Sequence, residues 1–331
     1  MSENRYTLGT VAASEQLLRD LYIDLRAKVK RWSAVTRQTP QARMGYIGQH
    51  LVSVVTGYPG ARTGARGRDL AISEQDSGEI KTCYRVDQLG SCKTCMAAVS
   101  SIEDICPACG SEDIDRKDDS KWLINIRSEE ELARILDPLF YYFVLFELDS
   151  REPSNTSDIV VSIWQVDPKA KGFTYMLIDY YLNIRAFSTS KAPLDLWPYR
   201  IKFYMTNPTL IYRAVITPED DIHTSVFPTL GNGFIDALPA LPIYSHASTL
   251  KRETLVSCVQ QIDPAHRVSS KNKEWLLSRM EEYRVQTGMN NAEVCDWLAS
   301  TVYLPRLRPK AALIPANLLA VFPELAGDSA L

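Results

Sequence analysis

The feature that most constrains this chain is a set of four cysteines, Cys92-Lys-Thr-Cys95 and Cys106-Pro-Ala-Cys109-Gly110, with ten residues between the two pairs. Each Cys-x-x-Cys makes a tight turn that brings two thiolates to one ion, and Gly110 suits the turn in which backbone N–H groups reach sulfur. The spacing is that of a Cys₄ zinc ribbon. A redox Cys-x-x-Cys is the rival reading, but redox chemistry does not require two copies ten residues apart. Four thiolates leave no open position for a water, so the expected Zn²⁺ is structural. Its use is left open by the residues: the ribbon contacts DNA, braces a loop, or replaces a core that a short insertion cannot build. Cys83, Cys258 and Cys295 read as packed thiols.

A chain of 331 residues has room for one large or two moderate domains. The apolar fraction of 45%, with 16 Tyr and 6 Trp spread along the chain, argues for a globular protein. No run of about 18 apolar residues exists, so no membrane span is expected. The start, "MSENRYTLGT", has neither a basic nor an apolar signal region, and a cytoplasmic (bacterial) location is expected. Seven cysteines, four of them in Cys-x-x-Cys pairs, fit a reducing compartment.

The net charge of −3 does not advertise a nucleic-acid binder, but local charge is less even. Arg19 to Arg43 carries seven Lys/Arg against Asp20 and Asp24, while "SEDIDRKDDS" is acidic. A locally basic groove is compatible with this, as is a solvated helix face, and the latter is preferred for Arg19–Arg31 alone.

Apolar spacing predicts an amphipathic helix over Ala12–Trp32 and a second over Gln41–Val55, ending at Gly57. The loop Tyr58–Arg68 holds Gly60, Gly64 and Gly67, which lets its backbone approach a ligand. "DLAI" and "GEIKTCYRV" read as strands joined by the polar turn "SEQDS". "SEEELARIL" reads as a helix capped by Ser128, with Glu131 at the capping-box position. "FYYFVLFEL" and "DIVVSIWQV" read as buried strands, Tyr175–Asn183 as helical, and the chain from His246 as mainly helical. "NKEWLLSRMEEYRVQTGMNNAEVCDWLAST" is compatible with a helix-turn-helix. Its second helix has two acids and no Lys or Arg, so a packed helical hairpin or a dimer interface is preferred.

The chemistry is expected in "GARGRDLAISEQDSGEIKTCYR". Side chains alternate along a strand, so Glu79 and Lys81 share a face. If "DLAI" pairs antiparallel with "GEIKT", Asp69 meets them at one end of the hairpin. Asp69 and Glu79, aided by the Ile80 carbonyl, then offer oxygen ligands to a hard cation such as Mg²⁺. Lys81 is placed to orient an attacking water and to stabilise charge on a phosphorane-like transition state. The bland alternative is a charged hairpin, because Asp-x(n)-Glu-x-Lys is a short pattern. Arg62, Arg66 and Arg68 stand before Asp69 as candidate phosphate contacts.

The order of Gln49 on a helix, a Gly/Arg loop, Asp69, a hairpin and Glu79-Ile80-Lys81 resembles the PD-(D/E)xK nuclease superfamily. With "GYPGARTGARGRDL", "GEIKT" and the Cys₄ ribbon directly after, the chain resembles the MamI family of type II restriction endonucleases. The resemblance implies catalytic roles for Asp69, Glu79 and Lys81 and places Gln49 where many superfamily members carry a helix Glu. Gln is a weaker metal ligand than Glu, and Arg68 stands where the superfamily's Pro would precede the Asp. It also implies a homodimer using Mg²⁺ to cut both strands of a palindromic, possibly interrupted, site in double-stranded DNA, beside a cognate DNA methyltransferase in the host. The expected fold is α/β (α+β): a restriction-endonuclease-like core with a mixed sheet, an inserted zinc ribbon and a helical C-terminal region. The expected division is an N-terminal helical segment at 1–40, a core at 41–245 with the ribbon at 88–115, and a region at 246–331 for dimerisation or DNA contact. Two alternatives stand beside this reading: a modification-dependent or structure-specific nuclease of the same superfamily, and a non-catalytic zinc-ribbon DNA-binding protein.

Overall fold

The computed structural model describes residues 6–36, 44–61, 68–86, 88–100, 105–115, 119–149, 157–189, 192–230, 250–265 and 268–327. The chain divides into two compact units, one of residues 1–122, 139–165 and 209–235, the other of 123–138, 166–208 and 236–331.

The first unit is organised by a six-stranded mixed sheet. Its strands are β1 (Leu70–Ala71), β2 (Ser77–Tyr84), β7 (Phe140–Leu148), β8 (Ile159–Val166), β10 (Thr209–Ile216) and β11 (Ile222–Val226), in the order β1-β2-β7-β8-β10-β11. β1 is antiparallel to β2, β2 is parallel to β7, and β8, β10 and β11 pair antiparallel. The central strands carry "YYFVLF" and "IVVSIW" as continuous buried runs, because both faces of the sheet are covered there. Of "DLAI" only Leu70 and Ala71 enter the ladder. The chain then turns, with the Ile72 and Ser73 N–H groups both donating to the Asp76 carbonyl.

One helical run starts at α1 (Val11–Leu17), passes through a π-helical stretch, Leu18–Asp24, and continues as α2 (Leu25–Thr36). Thr10 caps it by accepting from the Ala13 N–H. The wider π turn is where the predicted 3.6-residue pattern fails: Leu18 and Tyr22 are fully buried, while Leu17, Leu21, Ile23 and Leu25 pack only partly.

Helix α3 (Met44–Thr56) places the candidate site. Ile47, Leu51, Val52 and Val55 enter one core with Ile80, Tyr142, Val144 and Phe146. Full burial of each such side chain contributes about 1.5–3 kcal/mol. Gly48 lets the helix approach β2 closely: a Cβ there would lie 2.0 Å from Thr82 Oγ1. The helix ends as expected at Gly57, whose φ of 79° is left-handed and whose N–H closes on the Ser53 carbonyl.

The cysteine segment forms its own three-stranded sheet, β4-β3-β5, from β3 (Leu89–Cys92), β4 (Ala98–Ser100) and β5 (Ile114–Asp115). Its apolar core is small: Cys92, Val99 and Cys106, with Ala97 and Ile114 against them.

Two short strands, β6 (Trp122–Ile124) and β9 (Leu194–Leu196), pair as a separate two-stranded sheet, and the second unit is otherwise largely helical. It holds α4 (Glu129–Leu136), α5 (Lys171–Asp179), α6 (Ile201–Tyr204), α7 (Arg252–Ile262), α8 (Lys273–Thr287), α9 (Asn291–Val302), α10 (Leu304–Leu307) and α11 (Ala316–Val321). Ser128 caps α4 as expected, accepting from the Glu131 N–H at 3.2 Å; the Glu131 carboxylate reaches the Arg127 N–H, one residue before the cap. Gly288 ends α8 in the left-handed region, and Asn290 with Glu293 forms a complete capping box on α9. α9 buries Val294, Cys295, Leu298 and Ala299 and exposes Glu293 and Asp296. That is a packed helix with an acidic outer face, a poor surface for a DNA groove. Asp179, almost fully buried at the end of α5, is held by Asn183 at 2.8 Å and Arg306 at 3.1 Å. Among the described residues no helix is long and apolar enough to cross a membrane.

Candidate functional site

The hairpin β1–β2 assembles the candidate centre. Its register, Leu70 opposite Gly78 and Ala71 opposite Ser77, sets Asp69 across from Glu79 when extended by one residue. The Asp69 N–H donates to the Gly78 carbonyl at 2.9 Å, which fixes the start of the hairpin. Both Asp69 oxygens accept hydrogen bonds: Oδ1 from the Gln49 side-chain amide at 2.9 Å, Oδ2 from the Ile80 N–H at 2.9 Å. Gln49, Asp69 and Ile80 therefore meet although 31 residues of sequence separate the first from the last. Because a residue's N–H and C=O point to the same side of a strand, the Ile80 carbonyl also faces the β1 side.

Glu79 is only 8% exposed. Its Oε1 accepts from the Lys81 ammonium, as the shared strand face requires. Its Oε2 is buried with no hydrogen-bond partner among the described residues. Burial pushes the Glu79 carboxyl above its ordinary range and Asp69 adds to this, while the Lys81 charge pulls the other way. An unpartnered buried carboxylate oxygen is costly unless something cationic engages it. Two carboxylates, a main-chain carbonyl and no thiol or imidazole form a donor set for a hard divalent cation, so the residues present fit Mg²⁺.

Sequence reasoning missed Tyr141. It lies opposite Glu79 on the parallel strand β7, is 2% exposed, and stacks on Phe143 at 5.9 Å between ring centroids. Its phenol is pushed well above its ordinary range by burial and then by the negative charges of Glu79 and Asp69. Only the β2–β7 register pairs Tyr141 with Glu79, and no local pattern carries that register.

Of the candidate phosphate contacts, Arg68 is exposed beside Asp69, while Arg62 and Arg66 lie outside the described residues. His50 is exposed on α3. Lys202 is half-buried on α6, and its ammonium is disfavoured by burial.

The four ribbon cysteines converge: all their Sγ atoms lie within 4.8 Å of one another, with Cys92–Cys109 at 3.6 Å and Cys95–Cys106 at 3.7 Å. A disulfide needs about 2.05 Å. Thiolates about 2.3 Å from a tetrahedral ion sit roughly 3.8 Å apart, so the cluster can hold one metal ion. The two knuckles repeat one geometry: Met96 N–H donates to the Cys92 carbonyl and Gly110 N–H to the Cys106 carbonyl, each at 2.9 Å, with both donors in the left-handed region. The backbone N–H of Cys95, and then that of Thr94, brings the Cys92 thiol down to about 6. Cys109, although the Ser111 N–H favours its thiolate, is pushed up to about 12 by its sulfur neighbours. Cys83, Cys258 and Cys295 are buried, with Cys295 donating to the Tyr204 carbonyl, as packed thiols do.

Fold and site together describe an α/β protein with a candidate hard-cation centre at a sheet edge and a separate four-thiol cluster. The chain belongs to the MamI restriction endonuclease family, whose model matches residues 31–243. It is also similar to the type II restriction enzyme MamI of Microbacterium ammoniaphilum, at 35% identity over 88 residues, which is 25% of this chain and 27% of that protein. The chain thus aligns with about a quarter of the length of this curated relative. No solved structure matches.

Proposed function

We propose that this chain is a type II restriction endonuclease that hydrolyses phosphodiester bonds in double-stranded DNA at a palindromic, possibly interrupted, site. The observation that carries the reading is the buried Oε2 of Glu79, without a hydrogen-bond partner among the described residues, beside Asp69. Asp69, Glu79 and the Ile80 carbonyl are the residues that would hold Mg²⁺. When bound, that ion polarises a phosphodiester and acidifies a coordinated water. Lys81 orients the attacking water and stabilises charge developing on phosphorus oxygens. Tyr141 and the sheet core keep bulk water from the Glu79 side. Gln49 orients Asp69 through its amide N–H. Arg62, Arg66 and Arg68 hold flanking phosphates.

The four-cysteine cluster takes Zn²⁺ as a structural ion. The core spans 41–245, with the ribbon inserted at 88–115, behind an N-terminal segment at 1–40. Residues 246–331 serve dimerisation or DNA contact. A homodimer matches a palindromic duplex by placing one centre on each strand, and a cognate methyltransferase protects host DNA in the cytoplasm. The test is digestion of unmodified phage DNA with Mg²⁺ or EDTA, beside Lys81→Ala. Discrete bands that need Mg²⁺ and vanish in the variant support the reading. Cutting confined to methylated or branched DNA transfers it to a modification-dependent or structure-specific nuclease. No cutting of any of these by folded, zinc-loaded protein leaves a zinc-ribbon binding protein.

A further inference from the structure

We infer that the Asp69–Glu79 centre takes one divalent cation per chain, and that Gln49 is the residue that closes it to a second. The inference rests on the nuclease reading above and concerns the stoichiometry of that same site.

The argument begins with the four carboxylate oxygens. An ionised Asp69 can only accept hydrogen bonds, so the Gln49 atom facing Oδ1 has to be the amide nitrogen, not the amide oxygen. The Ile80 N–H occupies one lone pair of Oδ2, and Lys81 occupies Glu79 Oε1. Each engaged Asp69 oxygen keeps one lone pair, while Glu79 Oε2 is wholly unengaged among the described residues and almost fully buried. Glu79 and Asp69 would hold one cation, which would engage the oxygen left unpartnered among the described residues without taking the place of an existing hydrogen bond.

A second cation finds no such place. Two-metal centres hold their ions about 3.5–4 Å apart and need bridging or additional anionic ligands. Here Asp69 Oδ1 already accepts one hydrogen of the Gln49 amide, and Gln49 brings no negative charge where a carboxylate would have supplied it. Asp69, Glu79 and Lys81 together sum to a formal charge of −1. One divalent ion brings this to +1 and a second to +3, in a site walled by the buried Tyr141. The backbone that carries the amide is fixed beside it: Gly48 seats α3 on β2, where a Cβ would lie 2.0 Å from Thr82 Oγ1.

The experiment is a calorimetric titration of the full-length, zinc-loaded protein with Mn²⁺, an ion that does not displace thiolate-bound zinc. Sites are counted as those lost in Glu79→Gln, with retained amide protection of β2 and β7 reporting that the variant folds. One Mn²⁺ per chain is expected. Gln49→Ala keeps one site with affinity several-fold weaker, because Asp69 loses its clamp. Gln49→Glu binds two Mn²⁺ per chain, because the new carboxylate faces Asp69 with no hydrogen to donate. Two Glu79-dependent ions in the unaltered protein, or one in Gln49→Glu, overturns the single-cation inference and leaves the nuclease reading standing. No Glu79-dependent Mn²⁺ at all sinks both.

Discussion

The four-cysteine ribbon and the β1–β2 hairpin are both candidate metal sites, and they are built in opposite ways. In the ribbon, four ligands come from 18 residues of chain, each pair carries its own turn, and the apolar core is only a few side chains. In the hairpin, the two candidate ligands Asp69 and Glu79 depend on a helix, an edge strand and a parallel neighbour, all set by a large shared core. Among the described residues the ribbon has little packing to hold its shape alone, so a metal held by its four cysteines would supply folding free energy. The hairpin is shaped without an ion, and in the proposed function an ion there would supply chemistry, not folding free energy. One site should therefore collapse without metal, and the other should not.

The largest expected effect breaks the ribbon. Cys106→Ser removes a buried ligand, and structural zinc is worth about 10–16 kcal/mol in small metal-folded peptides. The expected outcome is loss of stoichiometric zinc and of amide protection over residues 88–115, with protection of β7 and β8 retained. Hydrogen exchange with zinc analysis checks this. Loss of protection throughout the sheet would show that the ribbon braces the whole unit, erasing the contrast. The matching treatment of the hairpin, removal of Mg²⁺ by EDTA under conditions that spare zinc, should change no protection in β2.

The next effect tests whether the hairpin centre depends on packing at a distance. Gly48→Ala forces a methyl against the Thr82 hydroxyl. Overpacking of this kind costs about 1–3 kcal/mol, and here it also displaces Gln49 from Asp69. A lower Tm, weaker Mn²⁺ binding and recovery of both in Gly48→Ala with Thr82→Ala are expected. A double-mutant cycle reads the coupling. The zinc site should be untouched by either change.

These two sites also show what a sequence can and cannot display. The ribbon was legible because ligand spacing, turn residues and metal chemistry all sit within one short window. Asp69, Glu79 and Lys81 were legible as a pattern, and strand alternation was enough to expect the Glu79–Lys81 pair. The Gln49–Asp69 hydrogen bond and the place of Tyr141 beside Glu79 were not. They depend on how α3 docks on β2 and on the β2–β7 register, which are properties of long-range pairing. The same reason explains why "DLAI" supplied only two paired residues.

A smaller effect concerns stability. Glu79 is raised by burial, so its folded-state affinity for a proton exceeds that of the unfolded chain. The contribution is then most favourable below the unfolded-state pKa and is lost as pH rises through the folded value. At neutral pH and without divalent metal, the charged carboxylate is a net cost. Glu79→Gln should therefore raise the Tm by a few degrees at pH 7 in EDTA, with the gain shrinking at acidic pH. A lower Tm for Glu79→Gln at pH 7, with the deficit shrinking at acidic pH, would show that the Lys81 pairing, not burial, governs this residue.

The smallest effect lies inside the ribbon, between its two knuckles. Met96 and Gly110 occupy the same place after the second cysteine of each pair, with φ of 62° and 73°, and only one of them is glycine. A side chain in the left-handed region costs on the order of 1 kcal/mol, whereas glycine pays instead with extra freedom in the unfolded chain. Met96 is 75% exposed, so little packing offsets its strain. Met96→Gly should thus tighten zinc retention only slightly, because the two contributions oppose. Gly110→Ala should weaken it by roughly fivefold, the equivalent of about 1 kcal/mol. Competition against a chromophoric chelator measures both. If Met96→Gly instead loosens the metal by as much as Gly110→Ala, then the exposed methionine is held by contacts beyond its own knuckle. The ribbon would then depend on longer-range packing, as the hairpin does.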